Sequence, residues 1–228
     1  MTVFRFALRR SFRSPLNILL LCVLPVGVVF IPPVEGTTLP LGIHFYGQVI
    51  MFASFLMVRS IVDDRASGVL TRVAVAPIGY LRYLTETLLA YGVLLVAQNA
   101  VVVVLGSTLY GDRFRLPVLQ LLALVCFSFT SLSFCLAGFS LFGRKDAAYG
   151  AIATVIILLS MIGGFYWPIE FMPGFLQKAA LFTPPYWLIR ALVGLQTGDP
   201  PIRLVFSLII MVLFAMAFLV VGSRRRLE

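Results

Sequence analysis

Charge is what this sequence has least of. Only 12% of its 228 residues are Asp, Glu, Lys or Arg, about half the share of a soluble domain, while 61% are hydrophobic and the mean hydropathy is +1.03. That combination excludes a water-soluble fold. Histidine is nearly absent: with His44 alone a His-Glu-x-x-His metalloprotease cannot be built, and the Gly-x-Ser-Gly of a rhomboid-like protease is missing too. Cysteine is scarce, and Cys22, Cys126 and Cys135 all fall inside apolar runs, where a small buried hydrophobe is the usual role. Neither a disulfide nor a metal site is expected. A nucleotide loop is also lacking. Gly138 to Lys145 has the two-glycine spacing, but it ends an apolar run instead of following a strand, and Lys145-Asp146 stands where Lys-Ser/Thr is required. No cofactor is expected in this chain. The front end resembles a secretory signal, yet no small-residue cleavage motif follows the apolar run, and bulky Leu21 precedes Cys22.

What is present is a series of apolar runs long enough to cross a bilayer, which takes about 20 residues. Six qualify: 16–34, 40–62, 84–109, 117–142, 147–166 and 202–222. The net charge of +9 comes from arginines gathered at the ends of these runs, so it reads as membrane topology and not as a nucleic-acid patch. With both termini cytoplasmic, 13 of the 18 basic residues lie inside, and the positive-inside rule selects that orientation. The fold class is therefore all-α integral membrane, a single transmembrane domain over 1–228.

Three segments do not fit a plain bundle. At 4–14, Arg5, Arg9 and Arg13 recur every four residues opposite Phe4, Ala7 and Leu8, with Phe6 breaking the pattern. This predicts an elbow helix in the membrane surface, ended at Ser14-Pro15. Residues 63–79 form the longest cytoplasmic stretch, and Ala66 to Ala76 can make about three helical turns before Pro77 and Gly79 stop them. Residues 167–200 are aromatic but cut by Pro168, Pro173, Pro184 and Pro185 into pieces too short to span. They are expected to form two short helices at the outer leaflet, interfacial or re-entrant. Phe165, Trp167, Phe171, Phe175, Leu176, Phe182, Tyr186 and Trp187 should fold back onto the span ends, since burying each is worth about 1.5–3 kcal/mol.

Two of these segments carry a family pattern. Asp64-Arg65, Gly68, Leu70, Arg72 and Pro77 in the cytoplasmic stretch, with Gly164, Pro168, Pro173, Leu176, Pro184, Pro185, Tyr186 and Arg190 outside, resemble the membrane subunits of type-2 ABC exporters. The Pro184-Pro185 pair departs from that pattern. The resemblance covers essentially the whole chain. It implies a bacterial or archaeal plasma-membrane permease, homodimeric or heterodimeric, whose coupling residues Asp64, Arg65, Gly68, Leu70, Arg72 and Pro77 rest on a separate ABC ATPase holding ATP and Mg. It also implies that the first and fifth spans meet between subunits, although ordinary packing within a subunit accounts equally well for the small residues Ala147, Gly150, Ala151 and Thr154.

Polar residues within the runs admit two readings. Gln98 and Asn99 lie mid-membrane, where they either line a wet path or hydrogen-bond between helices. His44 and Gln48 share a helix face and either line the path or pack. Phe171, Phe175 and Tyr186 complete the candidate path and exit gate. Asp63 and Asp64 point about 100° apart on a helix, which favours docking or local pairing over a catalytic carboxylate pair. Glu86 is placed to pair with Arg82. A membrane-embedded enzyme, or an ATP-independent channel or secondary transporter, is the alternative class. The latter would show intramembrane ionisable residues or inverted repeats.

Overall fold

The computed structural model describes residues 2–31, 39–66, 80–111, 114–142 and 145–224. Every regular element among them is helical, as expected of a backbone that must satisfy its own hydrogen bonds in lipid. The order is α1 (Thr2–Ser11), α2 (Pro15–Ile18), a π-helical turn (Leu19–Val23), α3 (Leu24–Val29), α4 (Leu41–Ala66), α5 (Tyr80–Tyr110), α6 (Pro117–Leu141), α7 (Lys145–Ile162), a 3-10 turn (Ile169–Phe171), α8 (Gly174–Ala180), α9 (Pro184–Thr197) and α10 (Pro201–Arg224).

Four helices are long and apolar enough to cross a membrane: Leu41–Asp64, Arg82–Tyr110, Pro117–Leu141 and Pro201–Gly222. A fifth counts if Val3–Ser11 and Pro15–Val29, bent by 82°, are taken as one span. The first apolar run is thus helical over a shorter stretch than 16–34. Pro25 lies within it and has no N–H for the Leu21 carbonyl, and the widened π turn directly precedes that proline. The fifth run is also shorter than 147–166, an apolar helix over Asp146–Ile162. It ends where Gly164 takes φ +91°, a conformation closed to most side chains. Beside it, a Cβ on Gly163 would strike Pro185 and the Tyr186 amide, so the absence of a side chain there lets α9 approach the end of α7.

The hub is α6, which packs on α4, α5, α9 and, most extensively, α10. Its small and hydroxylated residues, Ser128, Thr130, Ser131, Ser133 and Ala137, are buried, which lets neighbouring backbones come close. Outside this hub, α10 leaves most of its apolar surface uncovered. Phe165, fully buried, meets Phe127 edge to face at 5.8 Å and fills the space left by Gly47.

Helix α1 matches the amphipathic reading: Ala7 is buried, Phe4 and Leu8 are partly covered against the core, and Arg5 and Arg9 are exposed. Phe6 is exposed as well. Residues 167–200 hold two helices, α8 and α9. Their aromatic residues do not all fold back as expected: Phe171, Phe175 and Phe182 are 82%, 70% and 81% exposed. The expectation took water as the only alternative to protein. At a bilayer surface lipid takes up apolar side chains equally well. The residues that do bury here include Met172, Ala180, Leu188, Ile189, Ala191, Leu192 and Leu195.

Candidate functional site

Adjacent acids at the end of α4 grip different neighbours, as a 100° rotation between successive helix positions requires. Asp64 receives the Arg10 guanidinium from α1 and, at 2.8 Å, the Tyr83 hydroxyl from α5. Arg10 also donates to the Ser60 carbonyl at 3.1 Å, and the Ser60 and Tyr91 hydroxyls are hydrogen-bonded to each other. Asp63 turns to α7, where it accepts the Tyr149 hydroxyl at 2.6 Å, with Arg59 at 3.6 Å from its carboxylate and 4.3 Å above the Tyr149 ring. Glu86 pairs with Arg82 at 3.0 Å, as its spacing indicates, and accepts the Phe4 amide at 3.4 Å. The result is a polar clasp joining α1, α4, α5 and α7 at the residues where the 63–79 segment begins. Arg65 is in the last turn of α4; Gly68, Leu70, Arg72 and Pro77 lie outside the described residues.

Sequence reading found Asp64 and Glu86 but missed Arg10, Tyr83, Tyr91 and Tyr149. A usable signal existed: a tyrosine in an apolar run needs a partner for its hydroxyl when buried, and Tyr83 and Tyr149 stand in the opening turns of α5 and α7. Arg10 breaks the every-fourth pattern of Arg5, Arg9 and Arg13, which was itself a sign of a different role.

The mid-span residues separate into two kinds. Asn99, fully buried, accepts the Tyr46 hydroxyl at 2.6 Å and donates to Ser128 at 2.9 Å, and Ser128 donates on to the Leu124 carbonyl. This chain of hydrogen bonds links α4, α5 and α6 through Asn99. Gln98, 5% exposed, sits beside the Tyr46 hydroxyl, yet neither amide atom has a hydrogen bond of acceptable geometry. Gln48 donates to the Tyr166 hydroxyl at 2.6 Å, tying α4 to the chain after α7, and Phe45 meets the same ring at 5.6 Å. His44 is buried one turn earlier. Tyr186 is part-covered against Trp187, while Phe171 and Phe175 stand outside.

The stretch from Gly138 to Lys145 ends α6 and opens α7, and a Cβ on Gly138 would meet Ile152 at 3.1 Å. Among the described residues, no group of three His, Cys, Asp or Glu side chains could hold a metal.

Over 151 residues, 64% of this chain, the sequence is 24% identical to the linearmycin resistance permease protein LnrN of Bacillus subtilis (strain 168), and the aligned part spans 39% of that protein. The family described as ABC-2 family transporter protein matches residues 38–224, from before α4 to the end of α10, which takes in the clasp residues of α4, α5 and α7. This chain, helical in every regular element of its described residues and carrying several helices apolar enough to cross a membrane, therefore belongs to the ABC-2 transporter family.

Proposed function

We propose that the chain is the transmembrane subunit of an ATP-driven exporter, with six spans, both termini cytoplasmic, an elbow helix at 4–14 and a coupling segment at 63–79. Helices α2–α3 and α7 supply the first and fifth spans, and α8 and α9 lie at the outer leaflet. A separate cytoplasmic ATPase carries ATP and Mg, and a second permease subunit completes the path in the plasma membrane of a bacterium or archaeon. The observation that carries this reading is the clasp. A segment that receives force from an ATPase needs its root tied to several helices, and Asp63 and Asp64 tie it to three besides their own.

Dimer formation is supported by α7. Gly150 has open space where a Cβ would stand, and Ala147 and Thr154 are exposed, so the small-residue face is not spent on packing within the subunit and suits close approach of a second copy. An outward direction and an amphipathic substrate are supported by the name of the relative, a resistance permease, and by the exposed aromatic residues of 167–182.

The test is co-expression with any ABC ATPase encoded beside this chain's gene, purification and ATPase assay across a panel of amphipathic compounds in proteoliposomes. Co-purification with stimulated hydrolysis and ATP-dependent transport is expected. Arg72→Glu should leave membrane insertion intact but weaken the complex or uncouple hydrolysis from transport. Full assembly and export by that variant would remove the coupling assignment.

A further inference from the structure

Where α9 runs into α10, a groove of about 460 Å³ opens at the junction, lined from α9 by Tyr186, Trp187 and Arg190 and from α10 by Arg203 and Phe206 among others. It has the size of a small-ligand pocket. Its walls combine two chemistries. Trp187 gives its indole N–H to the Leu181 carbonyl at 2.9 Å and meets Phe206 edge to face at 5.6 Å, so a continuous aromatic wall joins the helices. Two guanidinium groups share the same groove. Arg203 is paired with Asp199 at 3.1 Å, whereas Arg190 makes no hydrogen bond or ion pair with any described residue. Two cations and one carboxylate leave a single positive charge unmatched.

The position says what matches it. The groove sits at the first turns of α10, hence at a membrane boundary whichever way the chain is oriented. Below Phe206 the exposed apolar side chains Val205, Ile209, Val212 and Leu213 continue along α10 toward mid-span. A ligand fitting both parts has one negative charge of phosphodiester type, which guanidinium groups bind through paired N–H donors, and apolar chains long enough to follow the helix. We propose that the groove binds the headgroup of an anionic glycerophospholipid, with Arg190 as its principal contact and Arg203 shared between the phosphate and Asp199. The lipid then bridges α9 and α10, holding the short interfacial helix to the last span.

Native mass spectrometry of the full chain in detergent micelles, titrated with phosphatidylglycerol or phosphatidylcholine, tests this without reference to transport. Phosphatidylglycerol should bind at least about tenfold tighter, and Arg190→Gln and Arg203→Gln should each weaken it about tenfold, the loss of one charge-assisted hydrogen bond. Arg190→Lys should keep much of the affinity. Lys178→Gln, which removes a charge from α8 outside the groove, should change nothing. Because Arg190 is exposed and bonds to no described residue, its neutralisation should leave the thermal unfolding midpoint unmoved, so weaker binding is not a folding defect. Equal affinity for the two lipids, or equal losses in Lys178→Gln and Arg190→Gln, would overturn the site. Displacement of phosphatidylglycerol by inorganic phosphate would show that the free anion is the ligand and overturn the lipid assignment.

Discussion

Arg10 and Asp64, 54 positions apart, form an ion pair that joins the surface helix α1 to the last turn of α4. Asp64 is nearly buried and already holds the Tyr83 hydroxyl. Removing either partner leaves a polar group poorly hydrated, so Arg10→Gln and Asp64→Asn are each expected to cost about 1–3 kcal/mol. In a double-mutant cycle read by thermal or denaturant unfolding in detergent, the pair should show coupling of at least about 0.5 kcal/mol. Additive losses would mean that the two residues act separately and that the clasp is not one unit.

Asn99 and Gln98 are neighbours with opposite expectations. Asn99→Ala removes hydrogen bonds to Tyr46 and Ser128, each worth about 0.6 kcal/mol on average inside a membrane, so unfolding should be easier by about 1 kcal/mol. Gln98→Leu discards an amide with no bond and should be neutral or stabilising. Transport lost in Gln98→Leu with stability kept would assign Gln98 to the path. Unchanged transport would remove it from the candidate path residues.

Gly150 on α7 offers a clean test of association. Nothing lies within 4 Å of a Cβ placed there, and replacing glycine in a helix gains up to about 1 kcal/mol in propensity. Gly150→Leu should therefore keep the subunit folded while shifting its mass in detergent from dimer toward monomer. A dimer unchanged by this substitution would place the contact on another face.

Phe171 and Phe175 are exposed, so the double change to serine should move the unfolding free energy of the subunit by no more than about 0.5 kcal/mol. Transport is expected to fall while ATPase binding stays, because the lost apolar surface faces lipid, substrate or a second subunit. A destabilised monomer would show that these rings pack onto the span ends after all. Retained transport would discard their place at the exit.

Hydropathy along the chain determined the all-helical membrane class by itself. Several of its apolar runs are long enough to cross a bilayer and its charges fall between them, two properties that need no partner residue to be read. The amphipathic face of α1, the proline breaks of 167–200 and the Arg82–Glu86 pair were legible for the same reason, since each is a relation between residues a few positions apart. The tertiary structure decided everything that depends on residues far apart in sequence. Arg10 meets Asp64, Tyr149 meets Asp63, and Tyr46 reaches Ser128 through Asn99, only because α1, α4, α5, α6 and α7 pack in one particular register. Packing also gave Asn99 two partners and left Gln98 without one of good geometry. It brought Arg190 and Arg203 to one groove through the turn at Gly198, whose φ of +77° folds α9 back beside α10. A polar side chain in a span announces a need for a partner, and only three-dimensional packing decides which residue meets it.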